Sequence, residues 1–104
     1  MQHISPQQLA EHLQDQSPYL LDVRESWEFA YCHITGSNLI PLGQLPNRLN
    51  ELEPDQHIVV ICHHGYRSRQ AGLYLQQQGF SRITNLDTGI DGWARSVDKD
   101  MPTY

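Results

Sequence analysis

The stretch from residue 57 to residue 79, HIVVICHHGYRSRQAGLYLQQQG, decides the fold of this chain. It opens on the β-branched run 58–61, and a run that is apolar on both faces is typical of a strand in the middle of a parallel sheet. Cys62 follows directly, and after a short loop residues 68–78 predict a helix that ends at Gly79. The stretch therefore predicts a strand–loop–helix unit with a cysteine at the carboxyl end of a central strand.

The rest of the chain alternates between short apolar runs and amphipathic segments. Ser5 and Gln8 have the spacing of a capping box around Pro6, which predicts the start of a first helix. Further strands are predicted over residues 19–23, 38–40 and 82–86, and further helices over 27–31 with Ser26 as cap, over 45–52 and over 89–97. This alternation predicts a largely parallel α/β sheet with right-handed crossovers.

The composition favours an ordinary globular protein of 104 residues, which we expect to form a single domain over residues 1–104. Seven Lys and Arg against twelve Asp and Glu give a net charge of −5, which argues against nucleic-acid binding. We also expect no secretory signal and no membrane span. Two cysteines without a CxxC spacing fit a reducing compartment, which favours a cytoplasmic protein. We expect the chain to be a monomer or a weak homodimer.

The loop after Cys62 has features that favour the reactive thiolate form of a cysteine. Ligands of parallel sheets bind at the carboxyl ends of strands, and the next helix points its positive N-terminal end there. Gly65 lets several backbone N–H groups converge, while Arg67 adds a positive charge and His63 and His64 add partial ones. The alternative is that Cys62 is simply a small buried apolar residue. Tyr66 is expected at the mouth of this loop.

Three segments carry a resemblance to a known family. Cys62, four residues and then Arg67-Ser68 resemble the active-site loop of the rhodanese (thiosulfate sulfurtransferase) family. LLDVRESWEFAYCHITGSNLIP at 20–41 is similar to the segment upstream of that loop, and LDTGIDGW at 86–93 resembles the closing Gly-x-x-x-Trp turn. The resemblance covers nearly the whole chain and implies an α/β fold with a five-stranded, mostly parallel sheet and helices on both faces.

The resemblance also implies a reaction. A Cys62 thiolate would take the outer sulfur of a small anionic donor such as thiosulfate and hold it as a persulfide. A thiol or a sulfur-carrier protein would then accept that sulfur, and no cofactor is implied. The backbone amides from His63 through Ser68 would stabilise the persulfide, and Arg67 would orient the donor.

Three further features have two interpretations each. Asp22 and Arg24 follow a predicted strand, where an ion pair or a turn-holding hydrogen-bond network is favoured over a catalytic role. Cys32 stands where the family usually has glycine, either as a tolerated small residue or as a partner for a disulfide with Cys62, which requires Cα atoms within about 7 Å. Adjacent histidines rarely point to one centre, so His63 and His64 do not predict a metal site.

Two other functions compete with sulfur transfer. A cysteine phosphatase or arsenate reductase needs five residues between cysteine and arginine, but Arg67 comes one residue too early and Ser68 holds that position. A non-catalytic persulfide relay, or a docking module for a partner protein, needs the same loop as an enzyme. The sequence leaves this second alternative open.

Overall fold

The computed structural model describes residues 1–104, and its elements alternate along the chain as the sequence predicts. The strands are β1 (Gln2–Ile4), β2 (Tyr19–Asp22), β3 (Asn38–Leu39), β4 (Ile58–Ile61) and β5 (Ile83–Leu86). The α-helices are α1 (Pro6–His12), α2 (Ser26–Tyr31), α3 (Tyr66–Gln77) and α4 (Gly89–Ser96). Two 3₁₀ segments, Leu42–Asn47 and Leu49–Glu51, connect β3 to β4.

The five strands form one sheet in the order β1-β5-β4-β2-β3, and every neighbouring pair is parallel. The predicted α/β fold is therefore confirmed, with β4 at the centre of the sheet. All four residues of β4 are buried, because strands flank it on both sides and helices cover both faces of the sheet. The central position brings the carboxyl end of β4, and the loop that follows, between the ends of β2 and β5.

Two apolar clusters cover the two faces of the sheet. Along β4, Ile58 and Val60 pack with Ala71 and Leu75 of α3. The alternate residues of β4, Val59 and Ile61, pack on the other face with side chains of α1 and α4, Leu9, Ile90 and Trp93. This alternation follows from the two-residue repeat of a strand, and it confirms that helices cover both faces. No helix of this fold combines the length and the apolar character that a membrane crossing requires.

Several element boundaries differ from the predicted ones. Helix α3 begins at Tyr66 instead of residue 68, because Gly65 takes a left-handed φ of 102° and turns the chain directly into the first helical turn. The N-cap of α2 is Glu25 and not Ser26, and its backbone N–H donates to the Glu28 carboxylate over 2.9 Å. Residues 45–52 form no α-helix, since Pro46 lies within the first of two 3₁₀ segments and donates no backbone hydrogen bond.

Candidate active site

The sulfur of Cys62 lies in a cradle formed by its own loop. Cys62 directly follows β4 and is only 1% exposed. The backbone N–H of Gly65 donates to Sγ over 3.0 Å, and the thiol donates to Ser68 Oγ over 3.3 Å. A backbone N–H aimed at sulfur stabilises negative charge there. Of the several N–H groups predicted to converge on the sulfur, that of Gly65 alone donates to Sγ.

Helix α4 holds the outer side of the loop. Ile90 N–H donates to the Cys62 carbonyl over 2.9 Å, and Asp91 N–H donates to the His63 carbonyl over 3.0 Å. Gly89 makes this approach possible, because a Cβ at its position would lie 2.3 Å from the Cys62 carbonyl oxygen and 2.6 Å from that of His63. The segment that resembled a closing turn thus binds the loop carbonyls.

Asn85 of β5 fixes the inner side of the cradle, although it is not among the site residues that the sequence predicts. Its amide oxygen accepts from Ser68 Oγ over 2.5 Å, while its NH₂ group donates to the Gly65 carbonyl over 3.3 Å and to Asp87 Oδ1 over 3.0 Å. The pairing of Val60 with Asn85 across the sheet places this side chain beside the end of β4. Nothing in the local sequence distinguishes Asn85 from other strand residues, so only the strand register reveals it.

Arg67 is engaged by Glu28 of α2. Its two terminal nitrogens donate to the two oxygens of the Glu28 carboxylate over 2.7 and 2.9 Å. The Arg67 guanidinium is the main reason that the pKa of Glu28 falls from 4.5 to about 2. The positive charge of Arg67, which the sequence suggests for donor binding, is therefore paired with a carboxylate. The donor-orienting role of Arg67 stays a prediction.

Tyr104 closes this side of the site, although it is 76 residues from Glu28 in the chain. Its hydroxyl donates to Glu28 Oε2 over 2.7 Å and accepts from Arg24 Nη1 over 2.8 Å. Its ring stacks on the His63 ring with centroids 3.9 Å apart. Burial is the largest cause that raises the pKa of Tyr104, to about 12. No local sequence pattern indicates such a long-range contact.

The two histidines and Tyr66 line the outer part of the loop. Burial, with the neighbouring charge of His64 as the second cause, lowers the pKa of His63. His63 is therefore neutral at pH 7, and it does not add the partial positive charge that the sequence analysis expected. His64 is exposed, and Tyr66 is 81% exposed at the start of α3.

Asp22 and Arg24 form a fully buried ion pair at the end of β2. Arg24 Nη2 donates to Asp22 Oδ2 over 2.7 Å, and Arg24 Nε donates to Asp22 Oδ1 over 2.9 Å. Arg24 also donates to the Cys32 carbonyl over 2.7 Å. The favoured interpretation, an ion pair within a turn-holding network, is confirmed.

Cys32 and Cys62 are both free thiols and lie in the apolar clusters on opposite faces of the sheet. The disulfide considered for this pair is not formed, because each side chain is part of a separate core. The backbone of Cys32 is extended, with φ of −163°, and this conformation is open to any residue. The position therefore does not require the glycine that is usual in the family.

Comparison with known proteins agrees with this geometry. The family model described as "Rhodanese-like domain" matches residues 5–96. The chain is 33% identical over 93 residues to a protein named thiosulfate sulfurtransferase GlpE from Actinobacillus pleuropneumoniae serotype 3, and the match covers 89% of this chain and 86% of that protein. It is 42% identical over 84 residues to the putative sulfur carrier protein YrkF of Bacillus subtilis, covering 81% of this chain but 45% of that protein.

A solved structure extends the agreement to the fold. The crystal structure of a rhodanese-related protein from Thermoplasma volcanium superposes with a TM-score of 0.85 at 33% sequence identity, covering 93% of this chain and 94% of the other. The family match over residues 5–96 includes both the Cys62 loop and the α4 turn that binds it. The chain belongs to the family of rhodanese-like domains.

Proposed function

We propose that this protein is a sulfurtransferase that carries sulfane sulfur on Cys62. The observation that carries the proposal is the hydrogen bond of 3.0 Å from Gly65 N–H to Cys62 Sγ. A preorganised backbone donor at Sγ favours the thiolate, which is the form of Cys62 that attacks the outer sulfur of a substrate. The contacts of Asn85 and α4 hold this donor in place.

The proposed reaction has two covalent steps. In the first, the Cys62 thiolate attacks the outer sulfur of thiosulfate or a similar donor. The new S–S bond forms as the S–S bond of the donor breaks, and sulfite leaves with the electron pair. In the second, a thiol or another sulfur acceptor attacks the outer sulfur of the persulfide and releases the Cys62 thiolate. Such double displacement predicts ping-pong kinetics.

The persulfide relay remains a second candidate. It is favoured by one relative, whose name is putative sulfur carrier protein YrkF, although this chain spans less than half of that protein. A relay would load sulfur as an enzyme does but would release it only to a partner protein. A cysteine phosphatase is less well supported, because both terminal nitrogens of Arg67 are bound to Glu28 instead of being free to clamp a phosphate.

Turnover with thiosulfate and cyanide tests the proposal. We expect initial rates that give parallel lines in double-reciprocal plots at several thiosulfate concentrations. Cys62→Ser should abolish turnover, and Cys32→Ser is the matched control that should retain it. Loading of sulfur without turnover to cyanide or to small thiols would favour the relay. No loading and no turnover with any sulfane donor would refute the proposed function.

A further inference from the structure

Glu28 is a fixed negative charge at the edge of the Cys62 site. Its carboxylate accepts from both terminal nitrogens of Arg67, from the Tyr104 hydroxyl and from the Glu25 backbone N–H. It is 3% exposed. A carboxylate with this many donors stays ionised throughout the neutral pH range. The sequence shows Glu28 only as one residue of the family resemblance and assigns it no role.

The charge of Glu28 matters because Arg67 is coupled to the sulfur. Arg67 directly precedes Ser68, whose Oγ accepts from Cys62 Sγ over 3.3 Å. The Glu28 carboxylate that pairs with Arg67 also binds Tyr104, whose ring stacks on the ring of His63 in the same loop. Because Glu28 pairs with Arg67, the guanidinium does not offset the negative charge of the thiolate. A doubly charged donor meets more repulsion there than a singly charged one.

We propose that Glu28 is a specificity-determining residue that makes the site favour singly charged sulfane donors over dianionic ones. The inference rests on the sulfurtransferase function proposed above. It concerns donor charge alone and leaves the covalent steps unchanged. Small persulfides and thiosulfonates whose reactive end carries one charge are the chemical class that fits.

Two donors isolate the effect of charge. Thiosulfate is a dianion, and methanethiosulfonate is a monoanion in which a methyl group replaces one anionic oxygen. In both reactions the Cys62 thiolate bonds to the terminal sulfur as the S–S bond of the donor breaks. Sulfite leaves from thiosulfate and methanesulfinate leaves from methanethiosulfonate, each with the electron pair. The ratio of kcat/KM for the two donors is divided by the ratio of their second-order rate constants with a free thiol such as N-acetylcysteine. This division removes the difference in intrinsic reactivity between the donors.

Three variants separate charge from shape. Glu28→Gln removes the charge while keeping the size of the side chain. Glu28→Asp keeps the charge while changing the reach of the carboxylate. Glu53→Gln makes the same change in net charge at an exposed position far along the chain, between the 3₁₀ segments and β4. A unit charge acting over roughly 10 Å in the effective dielectric near a protein surface changes such a ratio by about tenfold.

For the wild type, we expect the ratio of kcat/KM for thiosulfate to kcat/KM for methanethiosulfonate to lie below the ratio of the two rate constants for the free thiol. Glu28→Gln should raise it about tenfold, while Glu28→Asp and Glu53→Gln should leave it near the wild-type value. An unchanged ratio in Glu28→Gln, or an equal change in Glu28→Asp, would overturn the inference. If Glu28→Gln does not fold, a wild-type ratio above that of the free thiol overturns it by itself. Absence of a reaction with both donors would instead refute the proposed sulfurtransferase function.

Discussion

Replacing Arg24 by methionine tests the buried ion pair that supports the site. Arg24 and Asp22 are both fully buried, so the substitution leaves the Asp22 carboxylate without its cation in the protein interior. Removal of one partner from a buried pair costs about 3–5 kcal/mol. This is a large part of the roughly 5–15 kcal/mol that stabilises a typical domain. For a chain of this size we expect the Tm to fall by at least about 12 °C.

Urea unfolding followed by circular dichroism measures the loss of free energy. Arg69→Met is the matched control, because Arg69 is exposed and close in sequence to the loop, and it should change stability by less than about 0.5 kcal/mol. The double variant Asp22→Asn/Arg24→Met removes both charges, so it should be more stable than Arg24→Met alone. A cost below about 1 kcal/mol for Arg24→Met would refute the reasoning, and so would a double variant that loses the sum of the two single losses.

Three further changes have defined expected results. Gly89→Ala places a Cβ 2.3 Å from the Cys62 carbonyl oxygen, so it should displace the loop, lower the Tm and lower the rate of sulfur loading. Because the folded-state pKa of Glu28 is about 2 and its ordinary value is 4.5, the ionised carboxylate stabilises the fold above about pH 4.5. That stabilisation, about 1–3 kcal/mol, should be lost as the pH falls toward 2 and should be absent in Glu28→Gln. Tyr104→Phe removes one hydroxyl that bridges two charged groups, which should cost about 1–3 kcal/mol in urea unfolding.

Each of these changes has a control and a contradicting result. Gly43→Ala adds a Cβ where no atom lies within 4 Å, so equal effects of Gly43→Ala and Gly89→Ala would contradict the close approach. An acid-unfolding profile of Glu28→Gln that parallels the wild type would exclude Glu28 as a source of acid sensitivity. Tyr74→Phe changes a tyrosine whose hydroxyl bridges no charged groups, and an equal loss there would argue against the bridging role of Tyr104.

The sequence predicts those parts of the fold that depend on local patterns. The β-branched run of β4 gives the central strand, and the spacing of Ser5 and Gln8 predicts the capping box that the structure contains at α1. By contrast, β1 has only three residues, of which two are exposed. Its sequence lacks the apolar run that marks a strand, and its pairing with β5 becomes visible only in the folded chain.

The candidate site likewise combines local features, which the sequence predicts, with long-range contacts, which it does not predict. Cys62, Gly65 and Ser68 lie within one short segment of the sequence, and a strand that leads through a glycine turn into a helix is sufficient to indicate a sulfur cradle. The partners that complete the site are distant in the chain, such as Glu28, which is 39 residues from Arg67. Whether the charge of an arginine is free or paired depends on such contacts, and local sequence contains no information about them.

The mass of the intact protein after incubation with a sulfane donor tests the central claim most directly. The reduced protein is treated with thiosulfate, and in parallel with methanethiosulfonate, beside Cys62→Ser and Cys32→Ser. We predict that the wild type and Cys32→Ser each gain the mass of one sulfur atom, which cyanide removes, and that Cys62→Ser gains none. A mass that stays unchanged with both donors, or a sulfur gain that persists in Cys62→Ser, would contradict the assignment of Cys62 as the sulfur carrier.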